Sequence, residues 1–221
     1  MNLQVETALC KEWCVRMKYG FLPRGMWLIF RKSFRRQLCL ITREDPQAVM
    51  KKARTAYRSI LFDIPDFDKD DRFLVNILSA AMLAAVYLNL REKPELSAVT
   101  TYYHKAMTEN TVMKHFLKHS DSYSEKAQAK LARQAAASQT RKNPYSWKFR
   151  YEPGTDRNSY SCYFDTCGIW HLFQTLGIPE ITPAMCTYDY DMAELSGSVF
   201  TRRNTLAGGG PCCDCHYQKK A

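Results

Sequence analysis

The run from Phe73 to Leu90 sets the terms for everything around it. It is thick with alanine and is interrupted only by Asn76, Ser79 and Asn89. A helix of this composition has no broad polar face, so other elements must surround it. A membrane span needs about 20 predominantly apolar residues. The run therefore reads as a helix over 71–91, buried in protein on several sides and stopped by Pro94. A chain of 221 residues with 46% apolar and 24% charged content can supply the core such a helix needs, as one large domain or one domain with an added helical layer.

Helical patterns occupy most of the first 142 residues. A helix is expected over 3–19, broken by Gly20 and Pro23. Over 25–40, Trp27, Phe30, Phe34 and Leu38 recur at helical spacing, with Arg31, Lys32, Arg35 and Arg36 on the other side. That pattern suits a surface helix with a solvated basic face; it also permits a helix that binds a membrane surface or a partner. Asp45-Pro46 is a helix start, since Asp caps well and Pro fits the first turn. The helix should run to Phe62, with Val49, Ala53, Ala56, Ile60 and Leu61 inward. The acidic cluster from Asp66 to Asp71 lacks the glycine and terminal glutamate of a calcium loop; Asp70 and Asp71 fit better as anions at the start of the next helix. Helices follow over 95–108, 109–119 and 121–142. His104, His115 and His119 lie here without a Glu in the metalloprotease spacing and read as surface histidines.

After Asn143-Pro144 the period changes. Residues 145–151 alternate as a strand does, Pro153 to Asp156 is a turn signal, and Tyr160 to Phe164 is a second strand. Helices over 169–176 and 183–195 end near Gly177 and Gly197. Strands are expected over 199–207 and 213–217. The fold class is α+β: an N-terminal helical layer, 1–142, and a C-terminal part, 143–221, with an antiparallel sheet of about four strands and two inserted helices. The two parts are expected to form one compact domain.

Six of the nine cysteines fall between Tyr160 and Tyr217, in three pieces: Cys162 to Cys167, Cys186 to Asp191, and Gly208 to Tyr217. Carboxylates are interleaved with the thiols. The N-terminus shows no basic region followed by an apolar run, so a reducing cytoplasm is expected. There, clustered cysteines suggest chemistry or metal rather than disulfides. Charge is uneven. Residues 1–60 hold 13 Lys/Arg against 4 Asp/Glu, and residues 161–221 hold 4 against 6. The basic residues carry no nucleic-acid-reading motif, so no nucleic-acid partner is expected. Phosphate loops, dinucleotide fingerprints and the Gly-x-Ser-x-Gly elbow are all missing.

Several short motifs carry a resemblance. They are Phe164-Asp165-Thr166-Cys167, Leu176-Gly177-Ile178-Pro179-Glu180, and Cys186 with Asp189, Tyr190 and Met192. Arg203, Thr205, Leu206, Ala207 and Gly209 continue the series, then Cys213-Asp214. With Tyr57 to Pro65 and Val86-Tyr87, their order resembles the L-2-amino-thiazoline-4-carboxylic acid hydrolase family over roughly residues 50–217. Cys215 stands where an aromatic is expected, and Cys162 and Cys212 are additions.

The resemblance implies hydrolytic opening of a 2-amino-thiazoline-4-carboxylate ring, as C–N bond hydrolysis of a cyclic amidine, to a carbamoyl-cysteine. It implies Cys167, Cys186 and Cys213 as nucleophiles or ligands and Asp189 and Asp214 as proton-exchanging groups. Arg202 or Arg203, with Thr205, would hold the substrate carboxylate, and strand alternation would place one arginine inward. The implied partner is a small-molecule substrate, and no cofactor is assigned beyond a candidate divalent metal such as zinc. The alternative is a noncatalytic protein on the same frame, akin in fold to vinyl-reductase-like sensors. In its metal-binding form, Cys212, Cys213, Cys215 and His216 would hold a divalent ion such as zinc with Cys167 and Cys186. For each cysteine alone, packing as a small apolar residue competes with both readings.

Overall fold

The computed structural model describes residues 16–221. In chain order these form α1 (Phe21–Gln37), α2 (Pro46–Asp63), α3 (Leu74–Leu88), α4 (Leu96–Thr108), α5 (Thr111–Lys118), α6 (Glu125–Ser138), β1 (Phe149–Pro153), β2 (Ser159–Phe164), α7 (Gly168–Thr175), α8 (Thr182–Leu195), β3 (Ser198–Thr201) and β4 (Cys213–Lys219). The class is the α+β arrangement read from the sequence: helices first, then one antiparallel four-stranded sheet with two helices inserted. No helix among the described residues is long and apolar enough to cross a membrane.

Local chemistry explains most boundaries. Of the helix expected over 3–19, residues 3–15 lie outside the described residues. Arg16 makes an isolated bridge with Pro65, and 17–20 are not helical. Pro23 does not break the chain but sits inside the first turn of α1, where the missing N–H had no helical partner to lose. Trp27, Phe30, Phe34 and Leu38 are buried as their spacing requires. Asp45 caps α2, accepting from the Gln47 and Ala48 amides at 3.3 and 2.9 Å.

The surrounded helix is α3. Every residue from Ile77 to Tyr87 is buried, against α1, α2 and α7. It starts at Leu74 rather than at 71. The Asp71 carboxylate accepts from the Phe73 amide (2.9 Å) and the Ser146 hydroxyl (2.6 Å), and pairs with the buried Arg141 at 3.5 Å. Asp71 thus keeps its place at the entry of α3 through the Phe73 amide and also ties that entry to the loop after α6.

Strand order is β1-β2-β4-β3, all antiparallel. Alternation puts Phe149, Tyr160, Cys162, Phe164, Cys213, Cys215, Tyr217 and Phe200 on one face, which joins the core. Helices α6 and α8 pack against β1 and β3. Cross-strand rings knit that face, with Tyr160 and Tyr217 stacked at 4.9 Å and Phe149 and Phe164 at 5.3 Å. The other face carries Arg150, Ser161, Tyr163, Asp214 and His216.

Two strands are shorter than their patterns suggested. Residues 145–148 are a buried loop, because the Lys148 amide bonds to the Thr166 hydroxyl at 2.8 Å. Tyr145 and Trp147 close over His171 and Phe73. β3 ends at Thr201, since the next residues are drawn away to α8 and to Asp214.

Candidate functional site

Arg202 is the centre of the arrangement. It leaves the end of β3 with a side chain only 6% exposed. One terminal nitrogen donates to Asp189 at 2.6 Å and the other to the Cys186 carbonyl at 2.6 Å. Its guanidinium also lies over the Phe200 and Tyr190 rings, 5.3 and 5.8 Å from their centroids. Cys186 and Asp189 are three apart on α8 and so share a helix face. Burial would lower the charge affinity of Arg202, and Asp189 and Cys215 raise it again; the net direction is upward. Burial pushes the Asp189 carboxyl above its ordinary range, against the pull of Arg202.

The thiols gather around this pair. Cys167 is the N-cap of α7, and its sulfur accepts from the Trp170 amide at 3.4 Å. Cys213 opens β4, and its sulfur accepts from the Leu206 amide at 3.3 Å. Cys167, Cys186 and Cys213 lie near enough to one another and to Asp189 for a charge on one to raise the rest. Burial pushes Cys167 and Cys186 up to about 12. Cys213 is also raised by burial, with the Leu206 amide and Arg202 acting to lower it. Amide donors and a guanidinium are the groups that favour a thiolate. Cys215, two residues further along the same face and buried, is raised by burial and Asp189.

The remaining expected residues take other positions. Asp214 lies on the sheet face opposite Cys213 and Cys215. Its Oδ1 accepts from the Arg203 and Asn204 amides at 3.2 and 2.5 Å, and its Oδ2 from the Asn204 side chain at 3.4 Å. Burial opposes ionisation there, but these amides hold the carboxyl below its usual range. Asp214 is a clamp on the loop that carries Arg202. Arg203 is exposed on that loop, while Arg202 keeps the inward parity of Ser198 and Phe200, so one arginine of the pair points inward. Thr205 caps a 3-10 turn through the Gly208 amide at 3.0 Å, and Gly209 (φ +82°) closes it.

No group of three or more His, Cys, Asp or Glu among the described residues is disposed to hold a metal ion. The six-residue metal set fails on placement. His216 faces the opposite side of the sheet, bonded to Ser161 at 2.8 Å, and Cys212 precedes the strand.

Two supports were not legible in the sequence. His104, expected at the surface, is largely covered and pairs with Asp191 at 2.6 Å. Its other nitrogen meets the Ala184 carbonyl and the Thr187 hydroxyl, both at 3.1 Å, which fixes α8 against α4. Tyr87 donates to Glu180 at 3.1 Å, joining the central helix to the turn before α8. Tyr87 and Glu180 each fall in a motif noted above; nothing in either motif pairs them.

The family model described as L-2-amino-thiazoline-4-carboxylic acid hydrolase matches residues 75–217. The match begins inside α3, ends within β4 and includes all the residues of this site. No curated protein and no solved structure matches the chain.

Proposed function

The chain belongs to the L-2-amino-thiazoline-4-carboxylic acid hydrolase family, and on that premise we propose that it opens the ring of a small 2-amino-thiazoline carboxylate by thiol-assisted hydrolysis. The observation that carries the reading is the convergence of Cys167, Cys186 and Cys213 on one pair, the buried Arg202 and the partly buried Asp189.

The chemistry runs as follows. The Cys213 thiol loses its proton and attacks the ring carbon between nitrogen and sulfur. That ring carbon–sulfur bond breaks, and the departing ring sulfur takes up a proton as a free thiol. The enzyme then holds the carbon as an S-linked isothiourea. Water attacks it, Cys213 leaves, and the product is the carbamoyl-cysteine. Both nitrogens stay on the attacked carbon, so the expected C–N cleavage is corrected to C–S cleavage for this product. Cys213 is favoured as nucleophile because it combines an amide donor with the nearby guanidinium. Asp189, whose carboxyl burial raises, is the proton acceptor. Arg203 and Thr205, on the loop rim, receive the substrate carboxylate. Asp214 positions that loop and exchanges no proton.

One observation favours a second reading, a noncatalytic binder. Cys167, Cys186, Cys213 and Cys215 are all raised, so each rests as a neutral thiol at ordinary pH. Incubation with L-2-amino-thiazoline-4-carboxylate, followed by chromatography of the carbamoyl-cysteine and titration of the new thiol, separates the two. Turnover lost in Cys213→Ser supports the thiol mechanism. Retained turnover removes Cys213 as nucleophile and leaves water activated by Asp189. Calorimetric binding without turnover in the unaltered protein establishes the binder.

A further inference from the structure

The helix α1 presents an outward stripe that the hydrolytic site does not use. Phe21 is 94% exposed and Leu28 56%, with Leu22 and Ile29 also exposed. Phe21 and Leu28 are seven apart and share a face. On the same outward half stand Arg31, Lys32, Arg35 and Arg36. Among the described residues none of these four makes an ion pair or a side-chain hydrogen bond. No acidic residue occurs between Phe21 and Thr42. The inner half of α1, by contrast, is fully engaged: Trp27 and Phe34 pack on Tyr57 and Tyr102.

Two local explanations account for part of this. Arg35 and Arg36 occupy the last turn, where cations suit the helix dipole. Exposed apolar residues occurring singly are ordinary. Neither explains Arg31 and Lys32 in mid-helix, nor four exposed apolar side chains on the same helix as four cations with no acidic residue among them. A neighbour of the same stripe adds to it. Asn110, which caps α5, donates to the Ile29 carbonyl at 3.0 Å, so α5 begins against this flank. Val112 and Phe116 on α5 are 54% and 65% exposed, with Lys114 and Lys118 beside them.

We propose that α1, with the start of α5, docks this chain onto an anionic lipid surface. Apolar side chains enter the acyl boundary while the cations meet acidic headgroups. The charge favours lipid over a second copy, because two such faces would bring like charges together. No membrane-crossing segment is required.

The test uses the full chain with sonicated vesicles, either phosphatidylcholine alone or phosphatidylcholine mixed with phosphatidylserine, read by co-sedimentation. The protein should sediment with the mixed vesicles, stay in solution with the neutral ones, and be released by salt. The triple change Lys32→Glu, Arg35→Glu and Arg36→Glu should weaken binding by on the order of a hundredfold. The pair Phe21→Ser and Leu28→Ser should weaken it on the order of tenfold or more. All five side chains are exposed, and circular dichroism of each variant checks that the fold is kept. No sedimentation with mixed vesicles overturns the proposal. So does equal binding by the variants, or concentration-dependent self-association abolished by Leu28→Ser in the absence of lipid binding.

Discussion

Asp214 separates a structural from a chemical role in a single residue. If it clamps the loop, replacing it removes three hydrogen bonds: the Arg203 amide at 3.2 Å, the Asn204 amide at 2.5 Å and the Asn204 side chain at 3.4 Å. Bonds to a charged acceptor contribute about 1.5–3 kcal/mol each in favourable cases. Arg203 and Asn204 are exposed, so water recovers part of the loss. Asp214→Ala should therefore destabilise the protein by about 2 kcal/mol. For a chain of this size that lowers the melting temperature by roughly 4–8 °C. Asp214→Asn should lose much less, because Oδ1 alone accepts from both backbone amides and an asparagine keeps an oxygen there.

The pH dependence follows from the direction of the shift. Asp214 has a folded pKa held below its ordinary value, so the unfolded chain binds the proton more readily. Its stabilising share is present above the unfolded value, near 3.9. It is lost as pH falls through the lower folded value. Differential scanning calorimetry of the three proteins from neutral to acid pH reads both effects. A melting temperature for Asp214→Ala within about 2 °C of the parent would refute the clamp. A stable Asp214→Asn without turnover would restore the proton-exchange role.

Three further perturbations bear on the same frame. Gly168→Ala puts a methyl group 1.9 Å from the Tyr145 carbonyl oxygen and 2.9 Å from the Trp147 ring, so α7 must shift and carry Cys167 with it; we expect the unfolding free energy from urea titration to fall by more than about 2 kcal/mol, and a midpoint unchanged from the parent contradicts the contact. His104→Ala, which leaves Asp191 unpaired between α4 and α8, should cost about 1 kcal/mol in chemical denaturation, and Asp191→Asn should cost less because it can still accept. Iodoacetamide labelling read by peptide mass spectrometry should modify exposed Cys39 well before Cys167, Cys186, Cys162 and Cys215, and labelling of Cys167 and Cys186 should quicken as pH rises toward about 12; fast neutral-pH labelling of Cys167 would refute its assignment as a neutral, shielded thiol.

What the sequence made legible was whatever local chemistry decides. Asp45-Pro46 starts a helix because a carboxylate and a proline suit its first turn wherever they occur. Gly177 and Gly197 end helices at φ +70° and +73°, as a residue without a side chain readily can. Trp27, Phe30, Phe34 and Leu38 had to be inward because their spacing left no other shared face. The failures lie where a distant group outbids the local one. Asp71 serves its helix entry through one oxygen, but Arg141 and Ser146, 70 and 75 positions later, take the other, which no local pattern announces. The alternation from Val199 to Ala207 is genuine, yet Asp189 draws off Arg202 and Asp214 takes the next two amides. His104 meets Asp191 only once α4 and α8 are packed.

The cysteines show the same division within one residue type. Their clustering in sequence suggested one shared purpose, but position in the fold gives them different ones. Cys162 and Cys215 face each other directly across β2 and β4, each only 3% exposed. Burial pushes Cys162 up to about 12 and Cys215 in the same direction, so both remain neutral and fill the sheet's inner face as small apolar groups. Cys213 lies two residues from Cys215 on that face, but at the strand's first position, where a loop amide can reach its sulfur. Cys167 owes its amide partner to a helix N-terminus instead. A strand's interior uses its amides for pairing, whereas the ends of strands and helices leave them free for a side chain. The distinction between a packed thiol and an addressable one therefore rests on where each element ends, which depends on partners far along the chain.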